Sequence, residues 1–394
     1  MLIFSGGNVV TYDSILEGYS VIVENGVITR IVKAPGVKNA EACLVDSRDL
    51  YICPGFIDIH THGVLSWSYS DAEHIPEMLA ALPGFGVTGC LPTAGSMDRK
   101  LYEPWLDAVH KIMEQNCPGT RLIGAHLEGP YINKESRGGM SEDTVRVPDP
   151  DDYKLLLDRH KDVVRMMTLS PELPGALELI RSLRKRGIVA TGGHSIASPS
   201  EIYAAIEAGL QNVCHTFDST PGWFLVKEPG VRRPCIDEIG LLEDSLATEI
   251  IADGIHVDSV YMKLLHKCKP PDKIILITDS VPGAGLPEGS YNLPDGRPFR
   301  ISKDDAARLI SDGALVGSSL TMDRAVRTFI RLAGATLLEA IRAASSNPAK
   351  LLGIDRMTGA IEPGKCADIV LLDRQLNVRE TYIRGICAYK TNTK

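Results

Sequence analysis

The chain has 394 residues, 44% hydrophobic and 23% charged, an ordinary globular composition with room for one large domain and a small one. Its net charge of −8 gives no basic footprint for nucleic acid or an anionic membrane, and an anionic substrate would need local groups to hold it. Nine cysteines, without a C-x-x-C pair, read as reduced thiols of a cytoplasmic protein. The opening run MLIFSGGNVVTYDS has no basic n-region and breaks at Gly6-Gly7, so no secretory signal is expected. No stretch nears the ~18 apolar residues of a transmembrane helix.

Residues 1–52 carry short β-rich runs, LIFSGGNVVT and SVIVENGVITRIV, the second turning at Asn25-Gly26. From 53 to 357, eight strand-like runs follow: FIDIHTH, VTGCLPT, RLIGAHLE, VVRMMTLS, IVATGGHS, QNVCHTF, ATEIIADGIH and KIILITDS. Helical patterns over 98–116, 174–186, 199–208 and 258–267 lie between them. This alternation predicts an α/β chain with a (β/α)8 TIM-type barrel. A doubly wound open sheet is the competing arrangement, but its G-x-G-x-x-G after the first strand is absent. Residues 358–394 return to a β pattern with ADIVLLD and VRETYIRGICAY, so the two termini are expected to form one small β-sandwich domain beside the barrel. Three connections are too long for simple loops: 131–150, 218–246, and 281–320 with a hairpin at SYNLPDGRPFRIS. Such loops build pockets when they follow barrel strands.

The polar residues at strand ends carry the chemistry. His60 and His62 end the first strand, where i and i+2 side chains share a face. Alone, the pair reads equally as two hydrogen-bonded histidines or as metal ligands. Glu128 ends the third strand, His194 the fifth, His215 the sixth, His256 the seventh and Asp279 the eighth. Singly, each could cap or pack; jointly, they would converge on one barrel mouth. Imidazole nitrogens and carboxylates suit zinc, and also iron, cobalt or manganese. The set exceeds one tetrahedral ion, so two sharing Glu128 would use it better. A metal-activated water with Asp279 as proton carrier implies hydrolysis. His126 is expected inside the barrel behind the ligands. His74, His110, His160 and His266 are read as solvent-facing helix residues, and Cys214 as pointing away from His215.

At PGFIDIHTHG, HLEGPYIN, TGGHS, EPG (228–230), IIADGIHVD, TDS and GALVGSSLTMDRAV the sequence resembles the amidohydrolase superfamily. Within it, the chain is similar to the N-acetylglucosamine-6-phosphate deacetylase family over essentially its whole length, including SSNPAKLLGI and GAIEPGKCADIVLLD. The resemblance implies a barrel with a small β-sandwich, a homodimer, and one or two divalent ions per subunit. Glu128, His194 and His215 would bind the main ion, His60 and His62 would complete a second site, and Asp279 would be general base and acid. His256 would contact the sugar phosphate region and Gly317 the substrate through its backbone. The implied substrate is an N-acetyl amino-sugar phosphate.

The substrate-binding residues depart from the family pattern. Met140 stands where the family has a histidine that polarises the acetyl carbonyl, and a thioether donates no hydrogen bond. Asp218 and Ser219 replace an Asn-Ala pair that binds phosphate, and a carboxylate repels a phosphate unless a cation intervenes. Lys227 replaces an arginine and binds phosphate as a point charge. Arg232 and Arg233, in the same loop, could restore positive charge or be solvated. A different N-acyl substrate is therefore an alternative. A cyclic-amide hydrolase is disfavoured because the fourth strand ends MMTLSPEL, without the lysine that would bridge two metals. A non-catalytic barrel is disfavoured because all six candidate ligand positions are present.

Overall fold

The structure, a computed structural model, describes residues 1–34, 42–115, 117–220, 226–228, 231–293, 296–302, 306–313 and 315–391. Eight parallel strands form the barrel: Phe56–Thr61, Val87–Ala94, Ala125–Glu128, Val164–Leu169, Val189–Gly192, Asn212–Val213, Ala247–Ile251 and Ile274–Ile277. Each pairs with the next in chain order. The ring closes where the Asp279 N–H donates to the His60 carbonyl at 2.9 Å and the His62 N–H to the Ser280 carbonyl at 2.7 Å. All eight expected strands are found. They are legible because barrel strands, covered on both faces, become runs of buried apolar residues.

Helices pack outside the strands. Arg99–Gln115, Ala176–Lys185, Pro199–Ala208 and Ser259–Cys268 match the four expected from periodicity. Pro199–Ala208 shows how local sequence sets the bounds. Ser198 and Glu201 form a reciprocal cap, Pro199 opens the first turn, and Gly209 ends the helix at φ 118°.

The histidines outside the strands do not all face solvent. His110 is exposed and His74 and His266 are partly covered, but His160 is buried. His160 ends the helix Pro150–Arg159, where the chain turns back toward the fourth barrel strand and carries the ring inward.

Both termini build a second sheet, in the spatial order Ile386–Lys390, Val378–Ile383, Ile369–Leu372, Tyr51–Pro54, Leu2–Val10, Ile15–Glu24 and Val27–Lys33, with Cys43–Asp46 also pairing with Leu2–Val10. Its own core includes Phe4, Val21, Ile52, Ile369 and Tyr382. Insert 281–320 carries the expected hairpin, Gly289–Asn292 with Pro298–Ile301, extended by Ala307–Leu309 and Leu315–Gly317 into a four-stranded antiparallel sheet. Among the described residues no helix is long and apolar enough to cross a membrane.

Candidate active site

Six predicted side chains meet at the C-terminal mouth of the barrel. Glu128 Oε1 lies 3.1 Å from Nε2 of both His194 and His215 and 3.3 Å from Nε2 of His60. His62 Nε2 is 3.2 Å from the other Glu128 oxygen and 3.1 Å from Asp279 Oδ1, which is also 3.3 Å from His60 Nε2. The Nε2 atoms pair closely as well, at 3.3 Å for His60–His62 and 3.1 Å for His194–His215. The strands bring the groups in, but several sit just past a strand end. His194 and Asp279 adopt left-handed φ values of 49° and 45°, which turns their side chains out of strand alternation and over the mouth.

The donor chemistry fits a divalent ion. His194 Nδ1 lies 2.8 Å from the Ser136 carbonyl, which can only accept, so Nδ1 carries a proton and Nε2 is the ring atom turned inward. There it lies among other imidazole nitrogens and a carboxylate, the donor types that a divalent ion takes. One further observation agrees. Glu128 with His194 and His215, and His60 with His62 and Asp279, each place donor atoms within 4.8 Å of one another. Burial alone would raise the Glu128 carboxyl, yet His60, His194 and His215 hold it well below the usual carboxylate range. Burial would likewise lower His62, but Asp279 and Glu128 push it up to about 9. Glu128, His60, His194 and His215 are almost fully buried, whereas the His62 and Asp279 side chains stay 21% and 19% exposed, marking the side open to a substrate.

The other predicted residues spread over the mouth. Asp218 joins His215 and Asp279 in a third set with donor atoms within 4.8 Å, and Ser219 Oγ donates to Asp218 Oδ2 at 3.0 Å. His256 donates from Nδ1 to Asp253 Oδ2 at 2.6 Å. Burial lowers this ring, but Asp253, then Asp218 and Asp279, raise it overall. Met140 closes a turn on the Arg137 carbonyl, and Gly138 of the same loop lies so close to His194 that a Cβ there would be 3.3 Å from Cε1. Gly317, at φ 132°, lies against Val281, two residues after Asp279. Lys227 and Arg232 fall in short strands whose side chains lie outside the described residues, as do Pro229 and Gly230 of the EPG stretch.

One reading changes inside the barrel. His126 is interior as expected, its ring held by Thr168 Oγ1 at 2.8 Å and Thr93 Oγ1 at 3.3 Å. Cys214, however, points inward, with Sγ 3.6 Å from His60 Nδ1. Asn212 faces the interior and Cys214, two residues on, follows the same alternation, while His215 beyond the strand end escapes it. Sequence reasoning also missed Glu249, a fully buried carboxylate 3.1 Å from His60 Nδ1. Its signal was a charge in the middle of the apolar run ATEIIA.

Comparison with known proteins identifies the family. The Amidohydrolase family matches residues 51–387. The N-acetylgalactosamine-6-phosphate deacetylase of Escherichia coli O157:H7 is 31% identical over 95% of this chain and 96% of that one. The N-acetylglucosamine-6-phosphate deacetylase of Bacillus subtilis (strain 168) is 31% identical over 97% and 95%. Among solved structures, the N-acetylglucosamine-6-phosphate deacetylase of Thermotoga maritima is 31% identical with a TM-score of 0.84 over 99% of this chain and 100% of that one. That of Pasteurella multocida is 26% identical with a TM-score of 0.88 over 98% and 99%. With a metal-dependent family's donor set at its barrel mouth, this chain is a hydrolase of amide C–N bonds and belongs to the amidohydrolase family, alongside the amino-sugar-phosphate deacetylases.

Proposed function

We propose that the protein removes the acetyl group from an N-acetylhexosamine 6-phosphate, N-acetylglucosamine-6-phosphate first, giving acetate and the amino-sugar phosphate. The observation that carries this reading is the meeting of Glu128, His194 and His215 beside a partly open Asp279, in a chain whose relatives are deacetylases. In this reading Glu128, His194 and His215 hold the main divalent ion, zinc before iron, cobalt or manganese, and His60 and His62 with Glu128 and Asp279 hold a second. Such ions supply water that ionises near neutral pH and a Lewis acid for the acetyl oxygen.

The chain's own groups do the rest. Burial would raise the Asp279 carboxyl, but His60 and His62 hold it well below the carboxylate range, so it enters the reaction as a base. It takes the proton of the attacking water and returns it to the departing sugar nitrogen, which leaves as an amine while the acetyl carbon gains the oxygen. His256, braced by Asp253, meets the sugar phosphate region, with Gly317 offering backbone contacts. Lys227 and Ser219 supply the remaining phosphate contacts, Asp218 faces a sugar hydroxyl, and Met140 lines the acetyl end. The same reading has a small β-sandwich domain from 1–52 and 358–394 beside a hydrolase barrel over 53–357, working as a cytoplasmic homodimer.

The test is acetate release by zinc-loaded protein from the 6-phosphates of N-acetylglucosamine and N-acetylgalactosamine, with both unphosphorylated sugars alongside. Turnover of one or both phosphates over the free sugars supports the reading. Release from neither phosphate by metal-loaded protein would overturn it.

A further inference from the structure

Glu249 lies within the seventh barrel strand with no exposed surface, and the chemistry above does not use it. A buried carboxylate is retained only when its partners compensate it. Oε2 accepts from Nδ1–H of His60 at 3.1 Å and from the backbone N–H of His215 at 3.4 Å, while Oε1 accepts from Nδ2 of Asn212 at 2.6 Å. Each contact leads to the metal-binding cluster or braces the one that does.

We propose that Glu249 is a positioning residue for the second metal site. By accepting from His60 Nδ1 it fixes the proton on that nitrogen, turns Nε2 toward Glu128 and Asp279, and makes the ring a stronger donor. The Cys214 thiol, also beside Nδ1 at 3.6 Å, is the weaker partner and cannot set the tautomer alone. Asn212 locks the carboxylate in place from the neighbouring strand. The His194 ring has a counterpart in the Ser136 carbonyl, a neutral acceptor; His60 alone of the two has an anion behind it. This inference rests on the two-ion reading of the site.

The test is metal stoichiometry and affinity, not turnover. In Glu249→Gln the amide oxygen can still accept from His60 and His215. Its NH2 can donate to Asn212 Oδ1, a buried atom without a hydrogen-bond partner, once the Asn212 amide turns over. The variant thus removes charge with little change of shape; Glu249→Leu removes the acceptor altogether. Ions per subunit are counted by elemental analysis across a chelator series, with the visible spectrum of cobalt-loaded protein reporting each site. Glu249→Gln should bind the first ion as the wild type does and the second roughly 10–100-fold more weakly. Glu249→Leu, where it folds, should hold one ion. Two ions bound with wild-type affinity by Glu249→Gln, or equal weakening of both ions, would overturn the positioning role. A wild-type protein that binds only one ion would overturn the two-ion reading, and this inference with it.

Discussion

At the scale of single residues, the proposed reaction separates groups that would hold an ion from the group that would move a proton. Asp279 stands on both sides of that line, since it touches His60 and His62 yet remains partly open. Asp279→Asn keeps the shape and an acceptor oxygen but cannot take a proton, so kcat should fall by roughly 10²–10⁴-fold while the main ion stays bound. Near-normal turnover by the metal-loaded variant would remove the role. Glu128→Gln is the converse experiment. It takes the charge from the oxygen that faces His60, His194 and His215, so elemental analysis should find less metal in protein that is otherwise folded. The six candidate donors were legible jointly, because imidazole and carboxylate recur at the ends of successive apolar strands, although each alone could cap or pack. Cys214 was not, because a sequence shows spacing but not which alternate residues turn inward when a strand is only two residues long; Glu249 left a trace, a charge inside an apolar run, but spacing could not name the partners that hold it.

At the scale of elements, the loops after the strands decide what the mouth can grip. The loop leaving the sixth strand is anchored by Asp237, at the start of the helix Ile236–Leu242, whose Oδ2 accepts from Thr220 Oγ1. Burial raises the Asp237 carboxyl from 3.8 to about 6. The folded protein therefore binds more protons than the unfolded chain between those values, and stability falls as pH rises through them. Asp237→Asn carries no charge to desolvate and can still accept from Thr220. It should be more stable than wild type at pH 7–8, by up to about 3 kcal/mol, with the gain vanishing below about pH 4. Thermal unfolding at both pH values checks this, and a variant less stable at pH 8 would refute it. Gly317 tests the other loop. A Cβ there would lie 2.7 Å from Val281 Cγ1, and Val281 donates its N–H to the Ser318 carbonyl at 3.0 Å, right after Asp279 and Ser280. Gly317→Ala should displace that segment and lower kcat by roughly 10–10²-fold while the main ion stays bound. Strand order was readable here because periodicity and burial agree. The pairing of Val226–Glu228 with Val231–Arg232 and the helix Ile236–Leu242 were not, since elements of two to seven residues are too short to show a sustained apolar period.

At the scale of the whole molecule, the terminal sheet must be fastened to the barrel that interrupts it in sequence. The β pattern of the two ends disclosed that they belong together, and antiparallel pairing of Tyr51–Pro54 with Ile369–Leu372 realises it. One buried polar joint between that sheet and the barrel could not be read, because it pairs an aspartate with an arginine 247 positions away. Asp368 Oδ2 accepts from Arg121 Nη2 at 2.5 Å and Thr358 Oγ1 at 2.7 Å, and Oδ1 accepts from the Arg384 N–H at 3.0 Å. Arg121 enters the third barrel strand at the end opposite Glu128, and the pair is largely buried, at 16% and 1% side-chain exposure. Replacing such a pair by apolar groups can be neutral, but removing one partner leaves a charge without compensation. Asp368→Ala should thus cost about 3–5 kcal/mol and lower Tm by roughly 5–15 °C, leaving the metal content and kcat of the folded fraction unchanged. The double variant Asp368→Leu with Arg121→Met should recover part of that loss, because no buried charge is then stranded. If Asp368→Ala unfolds at the wild-type temperature, the sheet is held to the barrel by its apolar contacts alone, and the ion pair is incidental to the joint.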